Sequence, residues 1–164
     1  RSLTLVGDRA QSAAGFTESW QQRLERNGLA RIEHATLSIN YRTPVEIMEH
    51  AAPVIRQALP DANVPTSIRE SGIPVRSGRI DQLETTLESW LAEHEEGTAC
   101  VIGYPTLPSS PRVSALTPEL AKGLEFDLVV LVDPAAFGQG AQAAVARYVS
   151  MTRATRELVI LGEQ

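Results

Sequence analysis

Short runs of aliphatic and β-branched residues alternate along this chain with longer stretches of helical periodicity, and that alternation restricts the fold more than any other feature. Parallel neighbours in a sheet need a crossover of a dozen or more residues, which a helix supplies, so the pattern reads as βαβ units building a mostly parallel sheet with helices on both faces. Strands are expected over residues 3–6, 36–38, 73–76, 99–103, 112–115, 128–132 and 158–161, and helices over 17–26, 44–58, 80–95 and 141–151. The helix over 44–58 takes Thr43 as its N-cap and Pro44 as its first residue, with Glu46 in the opening turn where the helix dipole favours an anion. Val45, Met48, Ala52 and Ile55 then recur at helical spacing. In the helix over 80–95, Leu83, Leu87, Trp90 and Leu91 form the apolar stripe. Glu84, Glu88, Glu93 and Glu95 back it as a solvated face, with a partner-binding surface as the alternative. The clearest loop is 104–111, where three prolines in eight residues remove donors and fix the backbone.

At 164 residues and 43% hydrophobic content, the chain suits one domain with a single sizeable core. Cys100 is the only cysteine and lies in an apolar run, so it forms no internal disulfide and fits a reducing cytoplasm. No uninterrupted apolar run approaches the roughly 18 residues of a membrane span, and no signal-peptide pattern opens the chain. It begins without Met, inside a strand-like run, which suggests a piece of a longer polypeptide. A net charge of −5 implies weak binding of nucleic acid by this domain alone, because Lys and Arg carry most of that affinity. None of His34, His50 and His94 stands at ligand spacing from a cysteine or carboxylate, so no metal site is assigned.

Four blocks carry chemistry: Gly7-Asp8-Arg9-Ala10-Gln11, Asn40-Tyr41-Arg42, Ala121-Lys122-Gly123-Leu124-Glu125-Phe126-Asp127 and Tyr148-Val149-Ser150-Met151-Thr152-Arg153-Ala154. In this order they resemble the second motor domain of UvrD-like superfamily 1 helicases, with motifs at both ends of the chain and a poorly matching middle over 59–111. The sequence contains no Gly-x-x-x-x-Gly-Lys-Ser/Thr loop to cradle phosphates and no upstream Asp-Glu pair to hold magnesium. The resemblance therefore implies a RecA-like α/β domain that lacks its own P-loop. It would complete a site for ATP and Mg2+ held mainly by a first RecA-like domain, and would be inactive alone.

By that resemblance Arg153 is an arginine finger, Arg42 a second cation for the γ-phosphate and Gln11 its neutral sensor. Tyr41 stacks on adenine, Glu125 holds the ribose on the turn made by Gly123, and Thr117 and Lys122 couple the site to single-stranded nucleic acid. The residues alone leave alternatives. Arg153 in isolation reads as a dipole partner or surface ion pair, Tyr41 as a core aromatic, and Lys122 and Glu125 as members of a surface ion pair. Both arginines are expected on the ligand-binding edge of an open sheet. Gly123 is expected to turn the backbone where a side chain would clash, Leu124 and Phe126 to anchor in the core, Asp8 to hold its turn, Asn40 to anchor the strand-to-helix turn, Arg9 to be exposed and Arg156 to be structural.

Two departures from the family pattern bear on substrate. Glu119 stands where many members carry histidine, and Gly103-Tyr104 follows the strand over 99–103 where larger relatives place an arginine and a hydroxyl residue. A carboxylate beside a phosphate backbone weakens binding by repulsion. There is also no room for the accessory domain that larger members insert. With Thr117-Pro118-Glu119-Leu120, these features look more like the helicase-like factors that bind bacterial RNA polymerase and recycle it. A DNA helicase or translocase and a nucleotide-sensing module without motor activity are the other readings.

Overall fold

The computed structural model describes residues 3–12, 18–29 and 31–163. In chain order its regular elements are a 3-10 turn Arg9–Gln11, α1 Trp20–Arg26, β1 Ile39–Asn40, α2 Val45–Ala58, β2 Thr66–Ser67, β3 Arg76–Arg79, a 3-10 turn Ile80–Gln82, α3 Leu83–Glu93, β4 Ala99–Ile102, β5 Val113–Leu116, β6 Phe126–Val132, a 3-10 turn Pro134–Phe137, α4 Gly140–Met151 and β7 Ala154–Gly162. Five strands form a sheet in the order β3-β7-β6-β4-β5, every neighbouring pair parallel. The short strands β1 and β2 pair in parallel as a separate ribbon.

Period-two alternation in the central strands divides the core into two layers. Cys100, Ile102, Val129, Leu131 and Leu158 pack with α2 and α4 through Ile47, Met48, Ala51, Ile55, Val145 and Tyr148. Ala99, Val101, Leu128, Val130, Val132 and Val159 pack instead with Leu83, Leu87 and Trp90 of α3. Strands covered on both faces read as unbroken apolar runs, which is why β6 is the most conspicuous stretch of the sequence.

Several expected elements shift. Residues 3–6 form no strand; Leu3, Leu5 and Val6 are exposed, and no described strand pairs with the run. The expected strand over 36–38 forms at Ile39–Asn40, and that over 73–76 forms at Arg76–Arg79. Thr17, expected to open the first helix, lies outside the described residues. That helix starts at Trp20, where Ser19 and Gln22 make a reciprocal capping box. Thr43 does not cap α2. Pro44 is the N-cap, without a side-chain bond, and Thr43 is buried with its hydroxyl 3.5 Å from the Thr152 carbonyl. The acidic residues of α3 are exposed, as expected, and the proline-rich loop over 104–111 forms no helix or strand. No helix among the described residues is long and apolar enough to cross a membrane.

Candidate functional site

The loop after β1 is built to display two side chains. Asn40 Oδ1 accepts from the backbone N–H groups of Arg42, at 2.9 Å, and Thr43, at 3.2 Å, closing the turn as its residue type predicts. From the β2 side, Ser67 Oγ donates to the Thr43 carbonyl at 2.6 Å and Arg69 donates to the Arg42 carbonyl at 3.0 Å. The loop after β2 is tied to the same helix entrance. Val45 N–H donates to the Arg69 carbonyl, and Glu46 accepts from the backbone of Ser71 and Gly72. The Tyr41 ring is left 74% exposed, which removes the core-packing alternative. Sequence reasoning missed Ser67 and Arg69, because a two-residue strand leaves no periodicity to read.

Arg42 reaches across the fold to Glu125, with Nη1 to Oε1 at 2.8 Å, and both side chains are partly exposed. Glu125 ends a compact pair of turns in which Ala121 N–H donates to Thr117 and Leu124 N–H to Ala121. Gly123 adopts φ of +83°, but a Cβ there would meet nothing within 4 Å. Its requirement is thus conformational, and the expected steric clash is absent. Phe126 and Ala121 anchor this segment in the core, whereas Leu124, expected to do so, is exposed. Lys122 and Glu125 do not pair with each other. Lys122 Nζ donates to the Gln11 carbonyl at 2.5 Å.

Arg153 follows α4 and is 2% exposed. Its Nε donates to the Val149 carbonyl at 3.1 Å, and its terminal nitrogens to the Leu124 carbonyl and Thr152 Oγ1, each at 3.4 Å. The surface-pair alternative for Arg153 therefore fails, since the guanidinium is enclosed and bonded to its own domain. Burial lowers its pKa first and the neighbouring Arg42 lowers it further, while Glu125, Tyr148 and Asp8 oppose both. Tyr148, itself buried, has its hydroxyl pushed up to about 12 by burial and by Asp8. Asp8, Arg42, Glu125, Tyr148 and Arg153 consequently share one electrostatic neighbourhood, although they come from four separate blocks.

Asp8 holds its turn as expected, accepting from Ala10 N–H and from the Gln11 side-chain amide, both at 2.8 Å. Arg9 contradicts its expected exposure. It is 8% exposed and pairs with Asp61 at 2.6 Å, because the turn Arg9–Gln11 packs against α4 and turns that side chain inward. The hydrogen bond from Arg9 holds the Asp61 carboxyl below its usual value. Arg156 lies 3.9 Å from Glu157, consistent with a structural part.

The position of the site differs from that expected. Glu125 and Arg153 each stand immediately before the first residue of β6 and β7, which are register partners there, so they mark the amino ends of these strands. Arg42 just follows the carboxyl end of β1. The site thus lies where the small ribbon meets the amino edge of the sheet, and not at the carboxyl edge where open α/β sheets usually bind ligands. A cavity of about 230 Å³ beside it is lined by Gln11, Glu119, Lys122, Gln142 and the apolar Phe137 and Val149. A larger groove of about 530 Å³ between β3 and α3 contains none of the four blocks. Among the described residues no cluster of His, Cys, Asp and Glu could hold a metal ion.

No family model and no curated protein matches this chain. Among solved structures, the C-terminal domain of a possible DNA helicase from Lactobacillus plantarum WCFS1 aligns with a TM-score of 0.53 at 18% identity, over 76% of this chain and 88% of that one. The fold is α/β and RecA-like, a parallel five-stranded sheet flanked by helices. At this identity the likeness is one of fold. A structure of PRRSV nsp10 (helicase) and one of the PRRSV helicase align at TM-scores of 0.43 and 0.46, with 19% and 17% identity, and the chain spans only 23% and 24% of their length.

Proposed function

We propose that this chain is the second motor domain of a UvrD-like superfamily 1 helicase or translocase ATPase, and that it completes an ATP site formed with a first RecA-like domain of the same polypeptide. The observation that carries this reading is the convergence of Arg42, Glu125 and Arg153 on one edge of the fold, through the Arg42–Glu125 pair and the bond of Arg153 to the Leu124 carbonyl, with the neighbouring Tyr41 exposed. Nothing in that set is a nucleophile, and nothing cradles a phosphate chain. What it supplies is an exposed aromatic face for a base, a carboxylate that can accept from sugar hydroxyls, and guanidinium charge. ATP bound in the first domain, with its Mg2+, would bring the phosphoryl group, and planar permanent cations suit the charge that develops on it.

Of the two arginines Arg42 and Arg153, Arg42 is the more accessible in this state. Arg153, enclosed by its bonds to Val149, Leu124 and Thr152, would act on phosphate once closure of the two motor domains rearranges this edge. Gln11 already has its amide on Asp8, and the Lys122 bond to the Gln11 carbonyl links that turn to the segment carrying Thr117. This linkage supports coupling between nucleotide state and a nucleic-acid strand. Glu119 and the net charge of −5 favour a motor that remodels an RNA polymerase complex over one that grips DNA strongly through this domain.

The test is steady-state ATPase of the full-length polypeptide as wild type, Arg153→Lys and Arg153→Ala, each alone, with single-stranded DNA and with RNA polymerase. Loss of turnover on the order of 10³-fold, with nucleotide affinity largely retained, is expected of an arginine acting on the transferred phosphoryl group. The ligand that stimulates wild type identifies what the motor remodels. Unchanged turnover in both variants would overturn the role of Arg153, and ATP binding without hydrolysis by wild type would make the protein a nucleotide sensor.

A further inference from the structure

We propose that Glu125 occupies Arg42 as an internal substitute for phosphate, so that this domain yields Arg42 to a polyphosphate only when that carboxylate is displaced. The inference rests on the nucleotide-site reading above and adds a regulatory contact to it.

Three observations lead there. The contact is made through a single guanidinium nitrogen, Arg42 Nη1 to Glu125 Oε1 at 2.8 Å, while Arg42 Nε is enclosed and has no hydrogen-bond partner. A planar fork is best matched by two acceptors, so the pairing leaves donors of this side chain unused. The backbone on either side of that guanidinium is pinned, by Asn40 on the Arg42 N–H and by Arg69 on its carbonyl. Exchange of partner can therefore proceed by rotation of the side chain alone. Lastly, carboxylates stand among the cations: Glu125 and Asp8 both oppose the effect of Arg42 on Arg153. A carboxylate already seated on a guanidinium weakens the field with which that guanidinium would attract a triphosphate.

The exchange is open because the pair is half in water, with side chains 39% and 48% exposed, and exposed pairs are weak. A polyanion offering several oxygens outcompetes one carboxylate for such a guanidinium. Displacement also frees Glu125, whose oxygens then become acceptors for the sugar hydroxyls of the same ligand. The contact thus links phosphate capture to sugar capture, and an anion without a sugar profits only from the first.

Titration of the isotope-labelled 164-residue chain with inorganic triphosphate, followed by amide and arginine side-chain NMR signals at low and high salt, tests this. Glu125→Gln is expected to bind triphosphate on the order of tenfold more tightly than wild type at low salt, with a steeper salt dependence and a shifted Arg42 side-chain signal in the free protein. The gain should vanish in Arg42→Ala/Glu125→Gln. Equal affinity of wild type and Glu125→Gln, including no binding by either, overturns the proposal. So does a gain that survives in the double variant, because Glu125 would then act through the general field and not through Arg42. Glu125 is half-exposed, and an unchanged amide spectrum away from the site verifies the fold. Failure here is separable from failure of the ATPase reading, which is decided by Arg153 variants of the full-length polypeptide.

Discussion

Individual side chains in this domain are used twice, once for the local turn and once for the distant partner. Glu46 is an example. It sits in the first turn of α2, where the dipole favours it, and it also receives the backbone N–H groups of Ser71 and Gly72 from the loop after β2. Its own N–H lowers its pKa from 4.5 first, burial opposes this, and the Ser71 and Gly72 bonds lower it further. A carboxyl whose folded pKa is depressed stabilises the fold fully above its unfolded value and loses that contribution as pH falls through the folded value. Wild type should therefore melt higher than Glu46→Gln near pH 7, and the difference should shrink below about pH 4.5. Thermal melts of both proteins across the acid range check this; a difference independent of pH would remove Glu46 from the account.

At the level of elements, α3 depends on one polar contact inside an apolar layer. Trp90 is 2% exposed among Leu87, Leu128 and Val130, and its indole Nε1 donates to Glu157 Oε1 at 3.0 Å. Arg76 and His94 lie at 3.5 and 3.7 Å from the same carboxylate, and the His94 ring stacks on Trp90 with centroids 4.5 Å apart. A buried carboxylate that loses its closest donor retains its desolvation cost. Trp90→Phe, which keeps a ring but removes the donor, should cost about 1.5–3 kcal/mol in urea unfolding, and less in a Glu157→Gln background. The stripe of α3 is legible in the sequence because Leu83, Leu87 and Trp90 repeat at helical spacing. Its attachment to Glu157 is not, since 67 residues separate the partners.

Taken as a whole, the molecule has two apolar layers on either side of its five-stranded parallel sheet, and its single thiol lies in the layer under α2 and α4. Cys100 is fully buried on β4, and burial pushes its pKa up to about 12. A thiol this enclosed reacts only from an opened state. Labelling of native protein at pH 8 should thus be slow, and its rate should rise with urea in parallel with global unfolding measured by circular dichroism. Rapid labelling without denaturant would show that β4 opens independently of the rest. The sheet also explains which elements were misread. Central strands covered on both faces were legible as apolar runs, whereas the ribbon strands β1 and β2 were displaced or missed because two residues cannot display a period.

What the sequence determined by itself was the α/β class, the order of the main elements, the two-sided core and the four chemical blocks, because each depends on local periodicity or on a contiguous string. The tertiary structure alone decided how those blocks meet. It buried Arg153 and Arg9, exposed Tyr41, joined Arg42 to Glu125 across 83 residues and set the site at the amino edge of β6 and β7. Partners so far apart in the chain leave no local pattern, and only the packing of α2 and α4 on one face of the sheet brings them within hydrogen-bonding distance.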